Sequence, residues 1–352
     1  MKKPKSLVTG ACGFIGSHVV EVLTEAGHDV IATDLESSYE TRDDKRKVSA
    51  DAVRNSGAVF IASDMTKIST LRKLPMDVDY IFHVASVFSY GVPWELLYNV
   101  NVKGTQNLIE LVKENRKLRK FVLWGAGGVY GAPERQEIPF REDVTLPDPP
   151  NNYLRSKWMQ EFYIMQCGQK IDLPWVSVRP TTVYGPRGYY GGGQMLMGLA
   201  SAPVLMAPRN FTGRIPFIHV RDVARAALHL AVHNEAVKQV YNVNDDSLMT
   251  TIEFFKFMAD LRGHKFFTLP AINHYYIRKL AKTIGAIEAF ITADILGIGP
   301  FMETDGVDYL NGDFVYSNEK LKSTGFEFLY PDPRPGIEES IKWFLKNGWM
   351  KG

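Results

Sequence analysis

Cysteine is scarce in this chain. Cys12 and Cys167 stand far apart, without metal-ligand spacing or the makings of a disulfide framework, so two reduced thiols are expected. An excess of one charge is also lacking: 41 Lys and Arg balance 39 Asp and Glu, and no long basic run occurs, which argues against nucleic acid as a partner. The stretch Arg42 to Lys47 is short, lies among Glu40, Asp43 and Asp44, and reads as a solvated face. No run of about 18 or more apolar residues is present, so no transmembrane segment is expected. The basic start MKKPKS leads into an apolar segment that Thr9 and Gly10 interrupt at once, unlike a signal peptide. A cytoplasmic protein is expected. Internal repeats, low-complexity tracts and Pro- or Ser-rich linkers are absent too, so the chain should pack as one unit.

What is present is a large apolar fraction. With 352 residues, 45% of them hydrophobic, the chain can bury one large α/β domain or a domain and a half. Short runs rich in β-branched and aromatic residues, at Ser6–Val8, Asp29–Thr33, Val59–Ala62, Tyr80–Val84 and Lys120–Trp124, alternate with amphipathic stretches such as Phe14–Ala26 and Pro93–Glu114. Strands alternating with helices predict parallel strands joined by right-handed crossovers. The expected fold is α/β: a doubly wound Rossmann-type parallel sheet with a smaller C-terminal substrate-binding lobe. Residues 1–180 would form the cofactor domain and 181–352 the lobe, with 214–245 returning to the core. Gly185–Gly193 (GPRGYYGGG) has the composition of a flexible loop, and Tyr276–Ile295 has apolar residues at helical spacing.

VTGACGFIGSHV places Gly10, Gly13 and Gly16 directly after the first strand. The first glycine permits a tight turn, the second lets backbone approach a pyrophosphate, and the third lets helix and strand pack closely. The pyrophosphate would then rest on first-turn N–H groups around Phe14 and Ile15. Asp34 ends the second strand 18 residues after Gly16, where it can accept from the adenosine ribose hydroxyls. Its charge would repel a 2′-phosphate, so NAD is expected rather than NADP. At the end of the third strand, the acid of Ser63-Asp64-Met65 can meet the adenine amine. His83-Val84-Ala85-Ser86 ends the fourth strand and should lie beside the nicotinamide ribose. A strand-end histidine such as His83 more often packs and hydrogen-bonds than catalyses.

NNYLRSK sets Tyr153 and Lys157 four apart on one helix face. A nearby ammonium favours tyrosinate, so Tyr153 can take a proton from an alcohol while Lys157 also holds the nicotinamide ribose. TGACGFIGSH, Asp34, Asp64-Met65, HVAS, NVKGTQNL, VYG, YLRSK, RPTTVYGPRG and PFIHVRDVARA together resemble the extended short-chain dehydrogenase/reductase superfamily, over nearly the whole chain. The resemblance implies a doubly wound sheet with NAD(P) at the carboxyl ends of its strands. It implies Tyr153 as general base and Lys157 as its partner, and Asn101 as a helix position supporting the site. It also implies that Pro180 and Thr181 lie beside the nicotinamide, and that Asp222 is largely structural. Relatives often dimerise through the helix carrying the tyrosine and lysine. A homodimer is therefore expected, and Trp158, Met159, Phe162 and Met165 on that helix suit such an interface or simply the core.

One departure stands out. The superfamily's catalytic Ser/Thr falls at about Ala126, and LWGAGGVYG offers no hydroxyl from Trp124 to Gly128. Losing one such donor lowers a rate by about 10²–10³ where it acts on developing charge. Ser86, Thr181, Thr182, Tyr130 or a backbone N–H of the Gly125–Gly128 loop are candidate replacements. Ala126, Gly127, Thr182 and Tyr189 are expected on the substrate side. The apolar stretch Tyr275–Met302 and the closing segment resemble the 3β-hydroxysteroid dehydrogenase and dihydroflavonol reductase branch. The first expectation is therefore NAD-dependent hydride transfer with a hydrophobic secondary alcohol or ketone. The second is a nucleotide-sugar epimerase or dehydratase, with Arg187, Arg209, Arg214 and Arg278 available to hold a diphosphate. The third, a redox-inactive NAD-binding sensor, explains Ala126 but not the retention of both Tyr153 and Lys157.

Overall fold

The computed structural model describes residues 3–89, 91–273, 276, 279, 283 and 312–351. The predicted stretch Tyr275–Met302 lies almost entirely outside them. Eleven strands run through the described chain: β1 Lys5–Thr9, β2 Asp29–Thr33, β3 Val59–Phe60, β4 Tyr80–His83, β5 Lys120–Trp124, β6 Trp175–Pro180, β7 Thr182–Tyr184, β8 Val204–Pro208, β9 Phe217–His219, β10 Gln239–Val243 and β11 Lys265–Leu269. Eight described helices have eight or more residues: α1 Phe14–Glu25, α2 Asp44–Asn55, α3 Gly104–Val112, α4 Asn152–Lys170, α5 Gly192–Ser201, α6 Val220–Val232, α7 Thr251–Arg262 and α8 Pro333–Lys346.

Seven strands form one parallel sheet in the order β10-β6-β5-β4-β1-β2-β3. Apart from the edge strand β3, where Val59 is 62% exposed, its strands are largely buried on both faces because both are covered. Along β5, Phe121 and Leu123 face the cluster that holds Leu108, Ile109 and Val112 of α3 and Ile164 of α4. Val122 and Trp124 face the opposite cluster, with Val19 and Leu23 of α1 and Val223, Ala227 and Leu230 of α6. Strand order reverses between β1 and β4, which opens a crevice at their carboxyl ends, the usual ligand site of a doubly wound sheet. Thr9, Thr33 and His83 end their strands in register there.

A further core joins Tyr184, Leu196, Phe217, Phe254, Ile337 and Phe344 from β7, α5, β9, α7 and α8, apart from the large sheet. Two small parallel sheets, β11-β8 and β7-β9, belong to this half. The helical stretch expected over 93–114 contains an irregularity: between Trp94–Leu97 and α3, residues Tyr98–Lys103 form a π-helical turn carrying Asn101. Such turns are frequent at functional sites. Among the described residues no helix is long and apolar enough to cross a membrane.

Candidate active site

The glycine turn is built as its chemistry requires. Gly10 has φ +67°, and a Cβ there would lie 2.7 Å from Ala85 N and Cα. A Cβ on Gly16 would lie 2.0 Å from Gly10 O, so α1 can approach the turn only without a side chain. Gly13 caps α1 with extended backbone and no side-chain acceptor, leaving the first-turn N–H groups around Phe14 and Ile15 uncapped by any side chain. That is a cradle suited to a phosphate. Asp34 accepts from Cys12 N in the same turn (3.0 Å) and from Leu35 N (2.8 Å), and burial raises its carboxyl pKa. Asp64 is committed locally, accepting from Thr66 N at 2.9 Å and Thr66 Oγ1 at 2.7 Å. The Met65 carbonyl accepts from Asn107 Nδ2 at 2.9 Å, and a Cβ on Gly104 of α3 would sit 2.8 Å from Met65 Cβ. These contacts fix the loop at the end of the third strand against α3.

The fourth-strand loop is tied to the helix that carries the tyrosine. Asn101 Oδ1 accepts from Val87 N (2.8 Å), and its Nδ2 donates to Ser156 Oγ (2.9 Å), which in turn donates to Tyr153 O (2.7 Å). The loop Val84–Ser86 is thereby held beside Tyr153. Asn151 caps α4 by accepting from Leu154 N at 2.9 Å, which sets where Tyr153 enters the helix. Tyr153 is buried, with Phe88 edge-on at 4.9 Å between centroids. Lys157, one turn on, is buried too, and burial lowers its ammonium pKa to about 7 against an opposing pull from Glu161. Its Nζ donates to Gln160 Oε1 at 2.7 Å and reaches Ser86 Oγ at 3.5 Å.

His83 is wholly enclosed. Nδ1 meets Thr9 Oγ1 and Nε2 meets Thr105 Oγ1, each at 2.8 Å, and burial with the Lys157 charge lowers its pKa to about 3. A neutral imidazole bound on both nitrogens packs and orients, as the sequence reading favoured.

Ala126 shares an apolar cluster with Tyr153, Leu97, Val129 and Leu154, so methyl and ring surface stand where a hydroxyl would be. Of the replacements, Tyr130 is spent elsewhere: its OH donates to Asn242 Oδ1 at 2.9 Å, and its ring stacks on Phe140 beneath the Arg179 guanidinium. Thr181 is different. Its buried Oγ1 finds no hydrogen-bond partner among the described residues, and a Cβ on Gly127 would lie 3.1 Å from its Cγ2 and 3.3 Å from Pro180 O. Thr182 opens β7, and its Cγ2 would lie 3.3 Å from a Cβ on Gly192.

Tyr189, expected on the substrate side, instead meets Arg46 (5.9 Å to the ring) on the Asp34 side of the crevice. Its neighbour Tyr190 stacks on Phe88 at 5.1 Å and lies edge-on to Phe14 at 5.8 Å. The two rings also meet edge-on at 4.9 Å between centroids, an arrangement that composition alone did not reveal. Sequence reasoning also missed Gln160, and missed the pairing of Glu161 with Arg179 of β6. Helical spacing from Lys157 was the available signal for both.

The sequence profile of the NAD dependent epimerase/dehydratase family matches residues 6–244. Over 371 aligned residues the chain is 23% identical to human short-chain dehydrogenase/reductase family 42E member 1, covering 99% of this chain and 88% of that one. It is 33% identical over 189 residues to UDP-glucose 4-epimerase of Mycolicibacterium smegmatis, covering 52% and 57%. The UDP-glucose 4-epimerase of Thermus thermophilus, solved with NAD, superposes with a TM-score of 0.68 at 24% identity, covering 97% and 98%. The extended short-chain dehydrogenase/reductase architecture and the NAD cofactor expected from the sequence accord with these findings, whereas a 3β-hydroxysteroid dehydrogenase affinity is not specifically supported. With its glycine turn, Asp34 and the Tyr153–Lys157 helix around one crevice, this chain belongs to the NAD dependent epimerase/dehydratase family.

Proposed function

We propose that the protein oxidises a hydroxyl of a nucleoside-diphosphate sugar transiently, as an epimerase or dehydratase, with Tyr153 as base. The carrying observation is Lys157: a buried amine one turn from Tyr153, hydrogen-bonded among the described residues only by neutral groups. Its charge, when present, acts on the phenol without a carboxylate in contact to neutralise it. Bound NAD supplies the hydride acceptor. Tyr153 takes the proton of the sugar hydroxyl and returns one after the ring has turned or eliminated. Thr181 is the hydroxyl we assign to the place left by Ala126, because its Oγ1 is otherwise unpartnered among the described residues. The relatives named above as UDP-glucose 4-epimerases support this substrate class over the polycyclic alcohol expected first. We propose a homodimer through α4, where Phe162 is 47% exposed.

A lipophilic alcohol remains the second reading, on one specific observation. Two arginines considered for a diphosphate are held by acids: Arg187 by Glu21 at 2.8 and 2.5 Å, and Arg214 by Asp313 at 2.6 and 2.5 Å. The wall by Tyr153, formed by Phe88, Val87 and Trp94, is apolar.

The test incubates the protein and NAD with UDP-glucose, UDP-galactose and UDP-glucuronic acid, separating products chromatographically, with 3β-hydroxysteroids followed by NADH formation alongside. Epimerised or dehydrated sugar without net NADH, reduced about 10²–10⁴-fold in Tyr153→Phe, is expected. NADH formation with the steroid alone overturns the sugar reading. Binding of NAD without turnover of either class overturns both.

A further inference from the structure

Beneath the proposed catalytic pair runs a line of buried polar side chains with one self-consistent assignment of donors, which converges on Thr105 from both ends. Thr105 Oγ1 donates its single hydrogen to Asn101 O at 2.7 Å. Its other two contacts, Gln160 Nε2 at 2.7 Å and His83 Nε2 at 2.8 Å, must therefore be donors to it. With its NH₂ committed to Thr105, Gln160 turns Oε1 to Lys157 Nζ at 2.7 Å, the orientation an ammonium needs. With its hydrogen on Nε2, His83 accepts through Nδ1 from Thr9 Oγ1 at 2.8 Å, and Thr9 Oγ1 accepts from Ala85 N at 3.2 Å. Ala85 is the residue against which Gly10 is packed. Gln160, Thr105 and Thr9 are all fully buried.

We propose that Gln160 is a positioning residue that holds the Lys157 ammonium group at the head of a hydrogen-bonded line running from α4 through Thr105, His83 and Thr9 to the glycine turn. The proposal rests on the reading of Tyr153 and Lys157 as the proton-transfer pair. It adds that an amide, and not a carboxylate, must stand at position 160. A neutral acceptor aims the amine toward Ser86 and the ribose side while leaving its charge for Tyr153. A carboxylate there would cancel that charge. The other titratable groups around Lys157 are Glu161 on the same helix, itself held by Arg179 and Ser177 of β6, His83 of β4, and Tyr153.

Lysines carrying ¹³C at Cε are titrated by NMR in the free protein, with Lys157→Met to assign the signal, and NAD affinity is measured separately by calorimetry. In Gln160→Glu the Lys157 midpoint is expected to rise by about one pH unit or more, and in Gln160→Met to fall. NAD binding at neutral pH is expected to weaken about tenfold in Gln160→Met. Opposite shifts separate positioning from packing, since a packing defect that admits water would relieve the burial of Lys157 and raise the midpoint in both variants. If both variants titrate at the wild-type midpoint, or shift together, the proposal is overturned. Because the titration needs no substrate, expected shifts in a protein that turns over no sugar would refute the proposed function and leave this inference standing.

Discussion

Replacing Glu161 by Gln strikes the most deeply buried charge pair near the site. Arg179 and Glu161 are 3% and 2% exposed in their residues, and Arg179 Nε lies 3.1 and 3.2 Å from the two carboxylate oxygens, with Nη2 also donating to Oε1. Ser177 Oγ donates to Oε2 at 2.6 Å, and a Cβ on Gly125 would fall 2.7 Å from that same oxygen. The carboxylate thus occupies space that Gly125 leaves open. Gln preserves volume but strands the guanidinium in a dry setting against Tyr130 and Trp158. Breaking such a pair destabilises by about 3–5 kcal/mol, a large share of the ~5–15 kcal/mol available to a fold. Glu161→Leu with Arg179→Met removes both charges and should recover most of that loss, since apolar replacement of a buried pair is often neutral. Urea unfolding followed by circular dichroism measures each variant. A loss below ~1 kcal/mol in Glu161→Gln, the range of exposed pairs, would refute the reasoning.

Two further outcomes follow from the structure. Burial, with Asp332, Asp246 and Asp222 nearby, raises the Asp245 pKa to about 9. Below the unfolded carboxyl pKa of about 4 both states keep the proton; above it the unfolded chain ionises first, so stability falls as pH rises toward 9. Asp245→Asn escapes that loss while keeping an acceptor for Ser247 N, so it should match wild type near pH 4 and exceed it at pH 8 in denaturant midpoint; a lower midpoint at pH 8 counts against this reading. Gly16→Ala, whose methyl would meet Gly10 O at 2.0 Å, should displace α1 from the turn and abolish NAD binding by calorimetry; unaltered affinity would show that the turn yields without consequence.

The alternation of apolar runs and amphipathic stretches determined the doubly wound sheet, because period and length are local properties that burial on both faces imposes on its inner strands. The glycine spacing likewise announced the turn: Gly10 needs a left-handed φ and Gly16 permits contact no side chain allows, and both constraints are written in single residues. Helical spacing by itself puts Tyr153 and Lys157 on one face. Other features were decided only by tertiary structure. Which hydroxyl is free near Ala126 depends on partners distant in sequence: Tyr130 is taken by Asn242, while Thr181 is left without a partner among the described residues. The turning of Tyr189 toward Arg46 and of Tyr190 toward Phe88 is set by how the loop lies across the crevice. The line from Lys157 through Gln160, Thr105 and His83 to Thr9 joins four separate segments, and hydrogen bonds between such segments leave no periodic mark in the chain.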